Sequence, residues 1–211
     1  RRKALVHQCL LEAAAQGGSR GLQGTARGEY LLGRVERIAD RTLWALCEQL
    51  ARGDFRPSEV EVEFDGRDSQ AMNLLIDADT LMRLHGRIDR VDTCEDGDEI
   101  YVKVIDYKTG STSFDLVGVY YGLQLQLAVY LDAAMERERR KHGDKTVIPA
   151  GILYYHIRDP FLQTGPTEAA CPDREAVETE ILKELKMNGL VNREREIYRR
   201  LDRLVGTEAP P

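Results

Sequence analysis

The chain has 211 residues, of which 42% are hydrophobic, and a formal net charge of −6 at pH 7. This length and apolar content allow one large domain, or a domain with appendages, around a packed core. The acidic balance argues against a protein that coats nucleic acid non-specifically, although a site that cleaves DNA needs only local basic contacts. No apolar run approaches the roughly 20 residues that span a bilayer, and no signal-peptide pattern opens the chain, so we expect a cytoplasmic protein.

The four cysteines lie far apart in the sequence and form no Cys-x-x-Cys pair. This spacing favours neither a disulfide framework nor a local zinc site. Because the chain begins at Arg1 without Met, we expect it to be a fragment of a longer protein. The cysteines are Cys9, Cys47, Cys94 and Cys171.

Hydrophobic periodicity predicts helices and strands along the chain. Apolar residues recur with helical spacing over 29–52, whereas 59–64 alternates Glu-Val-Glu-Val-Glu-Phe, which is typical of a half-exposed strand. In chain order the predicted elements are helices over 1–16 and 29–52, strands over 59–64, 81–92 and 100–110, a helix from Asp115 to about His142, a strand over 149–157, and two helical segments over 173–204 that break near Asn188.

This order of elements predicts the fold class and the domain organisation. A strand-helix-strand unit that follows a hairpin produces a mixed sheet flanked by helices, which is an α/β fold. We expect an N-terminal helical segment and loop over 1–28, a core over 29–158, and a C-terminal loop and helical tail over 159–211.

The predicted strand over 100–110 carries charged residues near its end. Alternation along a strand places residues that are two apart on the same face. A carboxylate and an ammonium therefore follow two core-type valines on one face, which consists of Val102, Val104, Asp106 and Lys108.

A hairpin is predicted between this strand and the one before it. Asp96-Gly97, flanked by β-rich runs, is a strong signal for a short turn. A turn centred on this pair places Asp89 opposite Val104 and diagonal to Asp106. Diagonal partners lie roughly 7–8 Å apart, which is close enough for two carboxylates to share one divalent cation.

Two carboxylates at this separation would repel each other without a cation to neutralise them. Hard oxygen ligands favour Mg²⁺ or Mn²⁺, which leave coordination positions for water and phosphate. The pattern of Asp89, Asp106 and Lys108 therefore predicts a metal-dependent phosphodiesterase. His85, on the first strand, is a further candidate ligand, although a packed or solvent-facing histidine is the commoner situation.

Two polar residues on the next predicted helix share a face. Gln126 and Tyr130 are i, i+4 neighbours. The functional interpretation is that they position a phosphate or a base beside the metal. The alternative is that Gln126 caps a strand end by hydrogen bonding and Tyr130 fills the core.

Three short motifs occur in a specific order and spacing. Residues 86–90 read Gly-Arg-Ile-Asp-Arg, residues 105–108 read Ile-Asp-Tyr-Lys, and Gln126 precedes Tyr130 by four. Together they resemble the RecB-like branch of the PD-(D/E)xK nuclease superfamily.

A closer resemblance extends over most of 29–191. It is to the nuclease domain of the B subunit in the bacterial AddAB-type ATP-dependent helicase-nuclease family. The residues that carry it lie in 104–110, 119–131, 149–157 and 186–190.

This resemblance implies an αβββαβ restriction-endonuclease-like core and Mg²⁺-dependent hydrolysis of single-stranded DNA, with Mn²⁺ able to replace Mg²⁺. It implies an exonuclease that degrades the 5′-ended strand and that works with a helicase-nuclease A subunit on double-strand breaks before homologous recombination. The residues it implies are Asp89, Asp106 and the carbonyl of Tyr107 for the metal, and Asp89, Asp106, Lys108, Gln126 and Tyr130 for catalysis.

The sequence departs from the family pattern in two respects. The family has a metal-binding histidine in an upstream Gly-x-x-x-His helix, and no such motif surrounds His7. The family also holds an iron-sulfur cluster, whose cysteines are not in this chain. Both features are expected in the longer protein, so the activity of the isolated fragment is a question for experiment. Glu61 matches a family glutamate on the strand before the hairpin.

Two other functions compete with this one. One is a catalytically silent nuclease-fold module that guides DNA or docks subunits, against which the intact set of Asp89, Asp106 and Lys108 argues. The other is a free-standing single-strand nuclease, which would work without a helicase. An AddAB-type subunit should instead copurify with one.

Overall fold

The computed structural model describes residues 1–16, 25–65, 73–75, 81–161 and 173–203. Its helices are α1 (Arg2–Gln16), α2 (Ala26–Arg52), α3 (Leu116–Tyr120), α4 (Gln126–Lys141), α5 (Arg174–Glu184) and α6 (Arg195–Leu201). Its strands are β1 (Arg56–Asp65), β2 (Asn73–Leu75), β3 (Leu81–Arg83), β4 (His85–Asp96), β5 (Glu99–Lys108), β6 (Thr146–His156) and β7 (Asn188–Val191).

The main sheet has the strand order β1-β4-β5-β6-β7. β5 pairs parallel with β6, and the other neighbouring pairs are antiparallel. The parallel pair is the one whose connection contains α4, because parallel neighbours need a crossover and a tight turn cannot supply it. The predicted mixed α/β sheet in αβββαβ order is confirmed.

Helices cover both faces of this sheet. On one face α4 packs against β5 and β6, and its Leu127 and Ala134 join a core with Val102 and Val104. On the other face Ile197 of α6 belongs to a separate cluster. That cluster contains Phe55, Cys94, Tyr101, Ala150 and Ile197.

The predicted hairpin exists, but its register differs from the prediction by two residues. The loop is Gly97-Asp98, since Asp96 pairs with Glu99. Gly97 adopts φ 55°, which suits the first position of a two-residue hairpin loop. Because side chains alternate with a period of two, this shift keeps every predicted residue on its face.

The single helix predicted from Asp115 to about His142 is wrong over 121–125. Asp115 caps α3 as predicted, and its Oδ1 accepts a hydrogen bond of 3.0 Å from the amide of Val117. The chain then leaves the helix and starts again at α4. Gly122 in this break has φ 76°, a backbone conformation that an α-helix does not contain.

Two other elements differ from the prediction. The strand predicted over 81–92 is divided at Leu84 into β3 and β4, and β3 pairs with β2 in a separate two-stranded sheet. The predicted break between the last two helical segments is the strand β7, which pairs with β6. The periodicity of four residues is too short to distinguish a strand from a loop.

The chain divides into two compact units. One comprises Arg1–Glu48 and Ile157–Lys186, and the other comprises Gln49–His156 and Met187–Pro211 and contains the whole main sheet. In the first unit Arg2 binds Asp40 through two hydrogen bonds of 2.6 and 3.2 Å. The division predicted at residues 28 and 158 stays a prediction. No helix in the described ranges is long and apolar enough to cross a membrane.

Candidate active site

Asp106 is a buried carboxylate near the end of β5. It is 3% exposed, and burial raises its pKa above the ordinary value. The ammonium of Lys108 opposes this rise, and the charge of Asp89 adds to it. Lys108 Nζ lies 2.7 Å from Oδ2 of Asp106, although that oxygen accepts no hydrogen bond of ordinary geometry from the described residues. The carboxylate therefore has capacity for a cation.

Lys108 connects the strand to helix α4. Its Nζ donates a hydrogen bond of 3.1 Å to Oε1 of Gln126, and Nε2 of Gln126 donates one of 2.8 Å to the hydroxyl of Tyr130. Burial alone would lower the pKa of Lys108, but its ion pair with Asp106 raises the pKa above the ordinary value. Lys108 is therefore held as a cation at a defined place.

Gln126 and Tyr130 lie at the start of α4, and their mutual contact confirms that they share a face. Tyr130 is half-buried and packs edge-on against Phe64, with 5.8 Å between ring centroids. Gly86 makes room for this contact, because a Cβ there would come within 2.8 Å of the Phe64 ring. Tyr130 thus contacts the core with its ring and Gln126 with its hydroxyl.

Asp89 lies on β4, next to the point where the β4–β5 pairing stops. Arg90 pairs with Ile105, and continuing that register by one residue places Asp89 across from Asp106. The prediction of a diagonal relation to Asp106 is therefore replaced by a direct one. Oδ2 of Asp89 accepts a hydrogen bond of 2.7 Å from the amide of Tyr107. The two aspartates approach from neighbouring strands on one face.

These residues fit a divalent metal ion. Asp89 and Asp106 supply hard oxygen ligands, and buried carboxylates such as Asp106 are groups that a cation stabilises. Among the described residues there is no group of three or more histidine, cysteine, aspartate and glutamate side chains that could hold a metal. A metal here would rely on two carboxylates completed by main-chain oxygen and water, and the carbonyl of Tyr107 stays the predicted third ligand.

Tyr154 is part of the site, and sequence reasoning did not identify it. It pairs with Asp106 across β5 and β6, and its ring centroid lies 5.2 Å from Lys108 Nζ. A ring at this distance attracts the ammonium through its π electrons. Tyr154 lies within a predicted strand, but only the parallel register brings it beside Lys108.

The two other candidate residues are His85, at the start of β4, and Glu61, on the edge strand β1. His85 is exposed and sits opposite Asp65 in the β1–β4 pairing. Glu61 has φ 52°, unusual for a residue other than glycine, and forms an ion pair of 2.8 Å with Arg87. The role of His85 as a metal ligand and the match of Glu61 to a family glutamate stay predictions.

The cysteines do not contribute to this site as far as the structure describes them. Cys9 and Cys47 are exposed, Cys94 is buried, and all three are free. Cys171 lies outside the described residues.

Paired aspartates on a hairpin, a lysine two residues after the second aspartate, and a glutamine-tyrosine pair on the following helix form one connected set. The sequence model of the PD-(D/E)XK nuclease superfamily matches residues 1–210. The chain belongs to the PD-(D/E)XK nuclease superfamily.

Several curated relatives of this superfamily member share one name, that of the B subunit of an ATP-dependent helicase/deoxyribonuclease. The protein of Lachnoclostridium phytofermentans is 43% identical over 201 residues, which are 95% of this chain and 16% of that protein. The protein of Alkaliphilus metalliredigens is 43% identical over 185 residues, or 86% of this chain and 16% of that protein. For Clostridioides difficile the identity is 36% over 183 residues, or 86% and 15%. The chain thus spans 16% or less of the length of these relatives.

Proposed function

We propose that this nuclease-superfamily chain hydrolyses phosphodiester bonds of single-stranded DNA with the help of a divalent metal ion, Mg²⁺ or Mn²⁺. The observation that carries the proposal is the connection of Asp106, Lys108, Gln126 and Tyr130 through contacts of 2.7, 3.1 and 2.8 Å. A structural sheet has no need of a buried carboxylate beside a lysine that a helix holds in place.

Each residue has a proposed task. Asp89 and Asp106, with the carbonyl of Tyr107, would hold the ion, which when bound lowers the pKa of a coordinated water and neutralises phosphate charge. Lys108 keeps its proton, so its ammonium can donate a hydrogen bond that orients the attacking water, or one to a phosphate oxygen as negative charge develops there. Gln126 keeps Lys108 Nζ at the reaction centre.

We further propose that the complete protein is a 5′-to-3′ exonuclease within a cytoplasmic helicase-nuclease complex. A partner subunit would share in unwinding DNA ends with ATP, and the nuclease would degrade one of the separated strands during double-strand break repair by homologous recombination. The names of the relatives, and the resemblance of the motifs, support this proposal.

The test uses the complete protein, with and without its helicase partner, and an end-labelled single-stranded oligonucleotide. We expect cleavage that requires Mg²⁺ or Mn²⁺ and that Asp106→Asn and Lys108→Ala both abolish. Asp98→Asn, in the exposed hairpin loop, is the matched control and should cleave normally. Cleavage by Asp106→Asn at the wild-type rate would overturn the assignment.

The same preparation tests the wider proposal. Blunt duplex DNA should be degraded only when ATP and the partner are both present, because the nuclease acts on strands that have been separated. The polarity follows from comparing 5′-labelled with 3′-labelled substrates. An inactive wild-type complex would favour the catalytically silent module instead.

A further inference from the structure

Three charged side chains are buried behind the candidate site, and the proposed reaction does not use them. Arg90, Asp92 and Lys103 are 4%, 0% and 7% exposed. They lie on the sheet face opposite to α4, since Lys103 contacts Phe55 of the second cluster and Asp92 binds both Lys103 and Arg90. A buried ion pair is often no more stabilising than apolar residues of similar size, so stability alone is a weak reason for this cluster.

The cluster has a defined geometry. Arg90 donates from Nε and Nη2 to the two oxygens of Asp92 at 2.6 and 2.8 Å, which is the bidentate arrangement that fixes a guanidinium plane. Lys103 Nζ lies 3.1 Å from the same carboxylate and 4.8 Å from the ring centroid of Phe55. Asp92 therefore holds both cations in place.

Arg90 has one further donor directed at Tyr107. Its Nη1 donates to the hydroxyl of Tyr107 at 3.3 Å. The amide of Tyr107 donates to Asp89 at 2.7 Å, and the ring of Tyr107 packs edge-on against Tyr155, 6.0 Å away. The β4–β5 pairing has already ended at Arg90 and Ile105, so these two hydrogen bonds of Tyr107 continue the connection between the strands.

We propose that Arg90 is a positioning residue for the nuclease site. Its guanidinium holds the Tyr107 side chain, and thereby the peptide unit whose N–H donates to Asp89. Asp106 and Lys108 flank Tyr107 in sequence. The hydrogen bond from Arg90 to Tyr107 therefore also sets the separation of the Asp89 and Asp106 carboxylates and the direction of the Tyr107 carbonyl. The inference rests on the proposed nuclease function. It gives the buried cluster the role of supporting the nuclease site.

The first experiment removes the side-chain hydroxyl of Tyr107. Tyr107→Phe removes the hydroxyl that Arg90 binds and keeps the ring that packs on Tyr155. Tyr101→Phe is the matched control, since Tyr101 is on the same strand and face and its hydroxyl donates to Glu99 instead. Hydrogen-deuterium exchange of the Tyr107 amide is measured by mass spectrometry in the complete protein, without metal or DNA.

We expect the Tyr107 amide to exchange roughly fivefold faster in Tyr107→Phe, because one hydrogen bond worth about 1 kcal/mol no longer restrains it. Tyr101→Phe should leave that exchange rate unchanged. The Mg²⁺ concentration for half-maximal cleavage should rise roughly 10- to 100-fold in Tyr107→Phe, which is the usual effect of losing a residue that orients metal ligands. The KM for DNA and the melting temperature should match those of the control.

Arg90→Lys is the second variant, since it keeps a positive charge beside Asp92 and loses the planar fork. It should shift the Tyr107 exchange rate and the Mg²⁺ requirement in the same direction as Tyr107→Phe. If exchange and the Mg²⁺ requirement in Tyr107→Phe equal those of the control, the inference is overturned. If the wild-type protein cleaves no DNA, the nuclease proposal fails, and the exchange rates still decide whether Arg90 restrains Tyr107.

Discussion

Lys108 is the residue on which the contacts of the candidate site converge. It meets a carboxylate at 2.7 Å, an amide oxygen at 3.1 Å and an aromatic ring at 5.2 Å, and each comes from a different element. An ammonium on a flexible side chain has many rotamers, and ordering them costs up to about 2 kcal/mol. Three partners of different chemistry restrict those rotamers before any substrate binds.

Gln126 should matter for the rate less than Lys108 itself. In Gln126→Ala the ammonium keeps Asp106 and loses its helix partner, so we expect cleavage to fall roughly 10- to 100-fold, whereas Lys108→Ala should remove nearly all activity. Single-turnover cleavage of an oligonucleotide by the complete protein measures both.

The control for this substitution is Gln124→Ala. Gln124 is two residues earlier, and its side chain bonds the main chain at Ser113 and Asp115, away from Lys108. It should cleave near the wild-type rate. Equal losses of cleavage rate in Gln124→Ala and Gln126→Ala would show that the rate depends on the structure at the start of α4 and not on the side-chain amide of Gln126.

At the scale of elements, the break between α3 and α4 decides where Gln126 points. Leu125 precedes α4, and the turn before it is closed by hydrogen bonds of 2.7 and 3.3 Å from the amides of Leu123 and Gln124 to the Gly118 carbonyl. A continuous helix from Asp115 would lack this turn and would place Gln126 differently relative to Lys108. The start of α4 beside Lys108 therefore depends on this turn.

Gly122→Ala should destabilise this turn. The added Cβ meets nothing closer than 3.9 Å, so the cost is conformational, and a residue with a Cβ at φ 76° loses about 1–2 kcal/mol. Urea unfolding of the 211-residue chain measures the change in the free energy of unfolding.

Gly143→Ala is the comparison for that experiment. Gly143 follows α4, and the nearest atom to an added Cβ is 4.0 Å away. Its free energy of unfolding should stay within about 0.5 kcal/mol of wild type. If the free energy of unfolding falls as much as in Gly122→Ala, the effect comes from replacing any glycine by alanine and not from the positive φ of Gly122.

At the scale of the whole molecule, ion pairs between the sheet and α4 make stability depend on pH. Glu59 of β1 binds Arg137 at 2.7 Å and also binds Lys141. Burial alone would raise the pKa of Glu59, but these two cations lower it below its ordinary value of 4.5. A depressed carboxylate pKa stabilises the fold above pH 4.5, and this contribution is lost as the pH falls through the depressed value.

Glu59→Gln should therefore unfold more easily at pH 7, by about 0.5–1 kcal/mol for a surface pair. The difference from wild type should shrink below pH 4.5 and vanish once Glu59 is protonated in the folded protein. Urea unfolding at a series of pH values measures it, with Glu63→Gln on the same strand as control. A difference that persists unchanged at low pH would contradict the ion-pair explanation.

The sequence by itself determined the class of the fold and predicted the candidate site except for Tyr154. Strand alternation predicted that Asp106 and Lys108 share a face with the two valines that precede them. The i, i+4 spacing predicted that Gln126 and Tyr130 share a face of the helix. These are local periodicities that the backbone geometry imposes, so they can be read without any knowledge of distant contacts.

Only the tertiary structure decided how these local faces meet. The Gly97-Asp98 loop sets a β4–β5 register that, continued one residue beyond Arg90 and Ile105, places Asp89 across from Asp106, and a neighbouring turn would shift the partner by two residues. Tyr154 reaches Lys108 through the parallel register of β5 and β6. Pairings between distant segments depend on packing and loop geometry across the whole sheet, and no window of sequence contains that information.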